Sequence, residues 1–133
     1  MLPRLLLDTH ILVRWLMDAG KLSREQTRVL EGAVRRAEPV ALSAISLLEL
    51  AVLTREGKLG LNVALSDFFE ELEANPAFQI LPFTGEVAAE VASLATLRDP
   101  ADRAIVATAR VKRLRLVTSD LRIIESKLVP VVG

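Results

Sequence analysis

Four carboxylates in this sequence stand where an apolar stretch gives way to a polar or helical one: Asp8, Glu49, Asp102 and Asp120. Asp8 ends the stretch "LPRLLLD", and a second apolar run begins two residues later. Its charge therefore lies between apolar flanks, where burial without a partner is costly. Two carboxylates about 4 Å apart repel each other by roughly 4 kcal/mol at an effective dielectric constant near 20. If the four converge, they must protonate, move apart or bind a cation.

The side chains available for such a site carry oxygen ligands, because the chain has no cysteine and only one histidine, His10. Oxygen ligands favour hard cations such as Mg²⁺ or Mn²⁺, which proteins hold with one or two carboxylates while water completes the shell. Such an ion lowers the pKa of a bound water and stabilises charge that builds up on a phosphate. Metal-dependent hydrolysis of a phosphodiester bond is therefore the chemistry that this pattern favours.

Three of the four carboxylates also have a purely structural interpretation. Ser46 and Glu49 have the spacing of a capping box, in which the serine caps a helix and the glutamate returns to the cap. In "DPAD", Asp99 is suited to the N-cap of a helix, with Asp102 in its first turn. Asp120 could cap the short helix that follows "LVTSD". For Asp8 the functional interpretation is the better one.

Short apolar runs alternate with helical patterns along the chain, which predicts a parallel α/β fold. The runs of strand length are "RLLLD", "PVALS", "FQILPF", "LRLVTSD" and "KLVPVV". Continuous apolar runs suit strands that are buried on both faces. The predicted helices are His10–Met17, Ser23–Arg36, Ala44–Arg55, Ser66–Ala74, Thr84–Thr96, Pro100–Lys112 and Leu121–Glu125. We therefore expect one domain over residues 1–133, a three-layer α/β/α sandwich with a central parallel sheet.

This architecture accounts for the positions of the acidic residues. In open parallel sheets, ligands bind beyond the carboxyl ends of the strands. Asp8 and Asp120 each follow a predicted strand, Glu49 lies in the helix after the second strand, and Asp102 opens the helix that leads back into the sheet. The topology therefore permits all four carboxylates to meet at one edge.

Composition restricts the function further. The chain has 17 basic and 17 acidic residues, and this balance argues against a protein that coats nucleic acid through a basic face. No signal peptide and no membrane span are recognised in the sequence, so we expect a cytoplasmic protein without a membrane partner. Apolar residues make up 51% of the chain and the mean hydropathy is +0.36, so some of this surface is expected to cover an interface, with a second copy or another partner.

Four motifs in the same order resemble those of PIN-domain proteins, and in particular the VapC-type toxins of toxin–antitoxin pairs. They are "LLLDTHILVRWL", "LSAISLLELAVLTREGKLGL", "RDPADRAIVATA" and "LVTSD", and the resemblance runs from Leu5 to about Ile124. It implies an endoribonuclease that acts on RNA, depends on Mg²⁺, is inhibited by a cognate antitoxin and forms a homodimer.

The resemblance also implies roles for individual residues. Asp8 and Asp102 are the expected direct Mg²⁺ ligands, and Glu49 and Asp120 are expected to bind through water or a second ion. Thr9 matches a hydroxyl position beside the metal, although a plain helix cap is an equal alternative. Ser46 is a further candidate at the same edge.

Other residues near the expected site have less definite roles. Asp99 is expected to be a helix cap. Arg103 could hold a phosphate or pair with Asp99, and His10 is more suited to local packing or hydrogen bonding than to catalysis. Trp15 is spaced for packing. The cationic run "RVKRLR" could contact an RNA backbone or complement a helix C-terminus.

Three alternative functions share part of this pattern. A phosphoryl-aspartate phosphatase wants a second aspartate two residues after the first, where this chain has His10, and a receiver domain wants a lysine where "LVTSD" supplies an acid. Neither glycine-rich phosphate motif of the nucleotide-binding proteins occurs. A catalytically silent PIN interaction module is disfavoured by the complete acidic set.

Overall fold

The structure is a computed structural model that describes residues 1–133. Five strands form one sheet in the order β3-β2-β1-β4-β5, and every neighbouring pair is parallel. The strands are β1 (Leu5–Leu7), β2 (Val40–Ser43), β3 (Phe78–Leu81), β4 (Arg115–Val117) and β5 (Val131–Val132). All five sequence runs predicted as strands therefore contribute one.

Helices connect these strands and cover both faces of the sheet. They are α1 (Thr9–Met17), α2 (Arg24–Arg35), α3 (Ala44–Arg55), α4 (Leu65–Ala74), α5 (Gly85–Val91), α6 (Pro100–Lys112) and α7 (Leu121–Ser126), with a 3-10 turn at Ala19–Lys21. The predicted three-layer α/β/α sandwich with a central parallel sheet is confirmed.

Alternation along β1 shows how the sheet separates two hydrophobic cores. Leu5 and Leu7 pack in one cluster with residues of α1, α2, α3 and α4, whereas Leu6 packs in the other cluster with residues of α5, α6 and α7. Successive strand side chains point to opposite faces, so a strand between two helical layers must be apolar at every position. This explains the unbroken "LLL" before Asp8.

One helix is shorter than its sequence pattern predicts. The prediction extended from Thr84 to Thr96, but α5 ends at Val91 and the chain continues in tight turns. The Ser93 hydroxyl donates to the Glu90 carbonyl oxygen at 2.8 Å, which occupies an acceptor near the helix end. The turns bury Leu94 and Leu97 in the core next to α6.

No helix in the structure combines the length and the apolar character needed to cross a bilayer.

Candidate active site

The carboxyl ends of the three central strands bring separate chain segments together. Asp8 comes directly after β1, α3 begins directly after β2, and Thr118 follows β4. The Asp8 amide donates to the Val117 carbonyl oxygen at 3.0 Å, which continues the β1–β4 pairing into the site. The edge predicted from topology is therefore where the acidic residues lie.

Asp8 is held rigidly at this edge through both carboxylate oxygens. Its Oδ1 accepts from the Thr9 amide at 2.8 Å and its Oδ2 accepts from the Thr118 hydroxyl at 2.7 Å. The residue is only 7% exposed. Burial raises the pKa of Asp8, although the hydrogen bond from Thr118 and the charge of His10 act in the opposite direction. A buried charge is thus supported by fixed donors from two chain segments, the start of α1 and the residue after β4.

Thr9 links the first helix to the third. Its hydroxyl donates to Glu49 Oε1 at 2.6 Å and lies 2.8 Å from the Ser46 hydroxyl, which is fully buried. The cap of α1 is Asp8, so Thr9 is not the plain helix cap that was one of its two predicted roles. Burial raises the pKa of Glu49, the Thr9 hydrogen bond lowers it, and the charge of Asp8 raises it further.

The capping-box interpretation of Ser46 and Glu49 is wrong. The cap of α3 is Ser43, whose hydroxyl accepts from the Ile45 amide at 3.1 Å, so the helix begins three residues earlier than a cap at Ser46 would require. The chain passes from β2 into α3 without a loop. Ser46 and Glu49 therefore project from the interior of the helix and are available to Thr9.

The α6 N-terminus contributes two further carboxylates. Asp99 is the cap, as predicted, and accepts from the amides of Ala101 at 2.8 Å and Asp102 at 3.4 Å. Asp102 is half-buried, and its pKa is raised to about 7, first by burial and then by the charges of Asp99, Asp8, Asp120 and Glu49 in that order. Side chains from four segments therefore act on one another as a single electrostatic cluster.

Asp120 differs from the others because it already has a cation. It caps α7 and accepts from the Arg122 amide at 2.9 Å, while the Arg122 guanidinium contacts both of its oxygens at 3.2 and 3.3 Å. Burial acts to raise the pKa of Asp120, but the hydrogen bonds and charge of Arg122 outweigh it and the pKa is lowered. Arg122 also lies 3.9 Å from an oxygen of Asp102.

Sequence reasoning missed Arg122, Thr118 and Gln26. Arg122 could have been found from its place two residues after a capping aspartate. Gln26 is fully buried at the start of α2, and its amide nitrogen donates to the Ser119 hydroxyl at 2.9 Å and the Thr118 carbonyl oxygen at 3.3 Å. The pattern Ser23-x-x-Gln26 signals the capping box that the structure contains, but it does not signal this second contact.

The remaining predicted neighbours lie outside the carboxylate cluster. Arg103 donates to the Leu97 carbonyl oxygen rather than to Asp99. His10 is exposed and acts on Asp8 and Glu49 only through its charge. Trp15 packs edge-on against Phe78, as expected for a packing role. The "RVKRLR" run leads into the start of β4, at the end of the sheet opposite the acidic residues.

The carboxylates fit a divalent cation in their chemistry. No three His, Asp or Glu side chains stand together in an arrangement that would enclose an ion directly. Mg²⁺ needs only one or two protein carboxylates and keeps several waters. Its charge would relieve the carboxylate repulsion that adds to burial in raising the pKa of Asp102. Asp8 and Asp102, with Glu49 close by, are the residues that could hold it.

The fold and the site together define a class: a small parallel α/β sandwich with carboxylates from four segments at the carboxyl edge of its sheet. Residues 5–127 match the PIN domain family. The chain belongs to this family.

Other known proteins resemble this chain in sequence and structure. The chain is 32% identical over 120 residues to "Ribonuclease VapC22" of Mycobacterium tuberculosis, and the aligned region covers 89% of this chain and 88% of that protein. It superimposes on the crystal structure of FitAcB from Neisseria gonorrhoeae with a TM-score of 0.69 and 28% identity, over 97% of this chain and 96% of the other. A toxin–antitoxin complex from Klebsiella pneumoniae gives a TM-score of 0.58 and 25% identity, over 86% and 85% of the two chains.

Proposed function

We propose that this chain is a divalent-metal-dependent endoribonuclease of the VapC type, which cleaves phosphodiester bonds in RNA. The catalytic residues are Asp8, Glu49, Asp102 and Asp120. The observation that carries the proposal is the convergence of these side chains at one edge, where burial first and the neighbouring carboxylates next raise the pKa of Asp102 to about 7. The similarity of this chain to a protein named as a ribonuclease supports RNA as the substrate.

In this proposal Asp8 and Asp102 bind Mg²⁺ directly, or Mn²⁺ in its place, while Glu49 and Asp120 act through water or a second ion. When bound, the ion stabilises charge that develops on a phosphate and favours the ionisation of water. The protein keeps the carboxylates in place: Thr118 and the Thr9 amide fix Asp8, and the Thr9 hydroxyl fixes Glu49. A divalent charge favours the carboxylate form of Asp102 at neutral pH, where the free protein holds it partly protonated.

We also propose that the chain is a toxin with a protein antitoxin as partner and that it forms a homodimer. The similarity to a subunit of a solved toxin–antitoxin complex supports the partner. Exposed apolar side chains support a further interface, and Leu48 and Val52 on α3 are 61% and 44% exposed. Expression of the chain alone in a bacterial host is expected to arrest growth, and the Asp8→Asn variant is expected to relieve the arrest.

Cleavage of a labelled RNA tests the activity. The wild-type protein is expected to cleave with MgCl₂ and not with EDTA. Asp8→Asn is expected to reduce the rate at least about 100-fold, since even the loss of an outer-shell partner of a metal site costs 10- to 100-fold. Asp67→Asn, an exposed aspartate on α4, is the matched control and is expected to cleave normally.

Two results would reject the proposed mechanism: cleavage that persists in EDTA, or an Asp8→Asn rate equal to that of the wild type. Binding of an antitoxin without any cleavage would instead identify a catalytically silent member of the family. The phosphoryl-aspartate alternatives no longer apply, because the chain belongs to the PIN-domain family.

A further inference from the structure

Arg122 is the cation that pairs with the acidic cluster, and the catalytic proposal gives it no role. Its guanidinium reaches two different segments: Nε and Nη2 contact the two oxygens of Asp120, and Nη2 lies 3.9 Å from Asp102 Oδ2. Both partners are proposed to bind the cation. Arg122 therefore supplies positive charge to two of the carboxylates that are proposed to bind the ion.

Arg122 and its two carboxylate partners are exposed to solvent to very different degrees. The Arg122 side chain is 75% exposed, whereas the side chains of Asp120 and Asp102 are 23% and 16% exposed. The carboxylates are fixed by the fold, while the arginine reaches them from solvent at the end of a long, flexible stem. A guanidinium has five N–H donors, and Arg122 directs hydrogen bonds from Nε and Nη2 only, so donor capacity remains for another acceptor.

Arg122 also borders a cavity of about 150 Å³ at this edge, together with Arg98, Asp99 and Asp102. Two arginines and two carboxylates thus line one small space. Carboxylates alone would repel a phosphate, and arginines alone would repel a cation. The combination suits a phosphate that arrives together with a divalent ion.

A divalent ion at these carboxylates would compete with the guanidinium of Arg122, because like charges that close together repel each other. Asp102 and Asp120 would then hold Arg122 less strongly, and its fork of donors would become available. That fork matches the geometry of phosphate oxygens.

We propose that Arg122 is an exchangeable counter-ion that pairs with Asp102 and Asp120 in the metal-free protein and binds a phosphate of the RNA once Mg²⁺ takes those carboxylates. This inference rests on the proposed function. It makes Arg122 a substrate-binding residue whose loss has opposite effects on the two ligands.

The Arg122→Gln variant tests both effects. Calorimetric titration with MgCl₂ alone is expected to give tighter binding, with a dissociation constant about fivefold lower, because a competing positive charge is gone. With a single-stranded RNA oligonucleotide, KM is expected to rise about tenfold while kcat changes less. The slope of log KM against log salt concentration is expected to fall by about 0.7, the value for one lost contact to a single strand.

Two further variants separate this role from a general effect of charge or folding. Arg55→Gln removes one exposed positive charge at the far end of α3, about 16 Å from Ala44 at the start of that helix at 1.5 Å per residue, and is expected to leave both affinities unchanged. Arg122→Lys keeps the charge but loses the fork and is expected to lie between wild type and Arg122→Gln. Thermal unfolding of Arg122→Gln checks that the fold is retained.

The outcomes are distinct. Unchanged Mg²⁺ affinity and unchanged KM in Arg122→Gln, with Asp8→Asn inactive, would overturn the role of Arg122 and leave the nuclease proposal in place. Weaker Mg²⁺ binding in Arg122→Gln would overturn it as well, because Arg122 would then support the ion. A wild-type protein that neither binds Mg²⁺ nor cleaves RNA would reject the proposed function and this inference with it.

Discussion

At the scale of single residues, the site consists of charges that the fold holds in unfavourable surroundings. Asp8, Glu49 and Asp102 all have raised pKa values, and burial is the largest cause in each case. Each lies where desolvation and neighbouring carboxylates oppose its charged form. Such a cluster lowers the stability of the metal-free protein, and the cation that is proposed to bind here would restore it.

Replacement of Asp102 by Asn is expected to stabilise the metal-free protein in a pH-dependent way. The pKa of Asp102 is about 7 in the folded protein and 3.8 in the unfolded chain. The native state therefore holds a proton that the unfolded state releases between about pH 4 and 7. Stability therefore falls as the pH rises through this range. Asp102→Asn is expected to gain about 1–2 kcal/mol above pH 7, after allowance for solvent screening, and nothing near pH 4.

Unfolding by urea in EDTA at several pH values measures this effect. Addition of MgCl₂ is expected to reverse the order, because the wild type gains stability from the ion and the variant gains less. If the difference in unfolding free energy between Asp102→Asn and wild type were the same at pH 4 and pH 8, the assignment of the raised pKa would be contradicted.

Thr9→Val is expected to weaken both stability and catalysis. The variant removes the hydroxyl between Glu49 and Ser46 and leaves two polar groups without their partner, at a cost of about 1–3 kcal/mol. In the wild type, the Thr9 hydrogen bond favours the charged form of Glu49. The loss of stability in Thr9→Val is therefore expected to be largest at neutral pH and to shrink as the pH falls toward 4. Denaturant unfolding and RNA cleavage measure the two effects.

Thr108→Val is the matched control for this substitution. Thr108 is equally buried, but its hydroxyl bonds only to the Ala104 carbonyl oxygen in its own helix. We expect a smaller loss of stability and normal cleavage. Equal behaviour of the two variants would show that Thr9 is an ordinary buried threonine.

At the scale of elements, helix starts decide where the functional groups point. Three helix N-termini, those of α1, α6 and α7, are capped by aspartates of this edge: Asp8, Asp99 and Asp120. A cap fixes its own side chain as well as its helix. The structural and functional interpretations that the sequence left open are therefore compatible for Asp120, which caps α7 while it lies among the acidic residues.

Gln26→Leu is expected to show how α2 supports this edge. The substitution keeps the volume but leaves the Ser23 amide and the Thr118 carbonyl oxygen without a bond from this side chain, which is expected to cost about 2–3 kcal/mol. Weaker Mg²⁺ binding is expected as well, because Thr118 and Ser119 lead directly to Asp120. Gln79→Leu, at an exposed position of β3, is the control and is expected to stay within about 0.5 kcal/mol of wild type.

Chemical denaturation and calorimetric titration distinguish the two variants. If Gln26→Leu were as stable as Gln79→Leu, the buried amide would not be the link between α2 and the loop after β4.

At the scale of the whole molecule, α3 has more apolar surface than one core can cover. Leu50 is buried in the core, whereas Leu48 and Val52 on the same helix are largely exposed. Residues four apart share a helix face, so these two side chains form one apolar patch. Such a patch on a small domain is typical of a protein interface.

The homodimer proposal leads to a prediction for this patch. Leu48→Glu is expected to convert a dimer into a monomer at micromolar concentration, because it places a charge in an apolar interface. Val34→Glu, at an equally exposed position of α2, is expected to remain dimeric. Sedimentation velocity measures both variants, and a monomeric wild type at the same concentration would contradict the dimer.

The sequence by itself determined the architecture. Unbroken apolar runs such as "LLLD" and "PVALS" can be satisfied only between two helical layers, and their alternation with amphipathic segments requires a parallel sheet. Strand ends then decide where functional groups can lie, which is why Asp8 and Asp120 could be placed at one edge from their positions alone. These signals depend on neighbouring residues, so they can be recognised in a single sequence.

Only the tertiary structure decided which polar groups meet. Thr9 contacts Glu49 across 40 positions of the chain, Gln26 contacts Ser119 across 93, and Thr118 contacts Asp8 across 110. The sequence pattern also left two interpretations open at the start of α3, a helix from Ala44 or a cap at Ser46, and it did not show that α5 stops at Val91. Hydrogen bonds and pKa values depend on distances of a few ångströms between segments that are remote in sequence, and packing of the complete chain sets those distances.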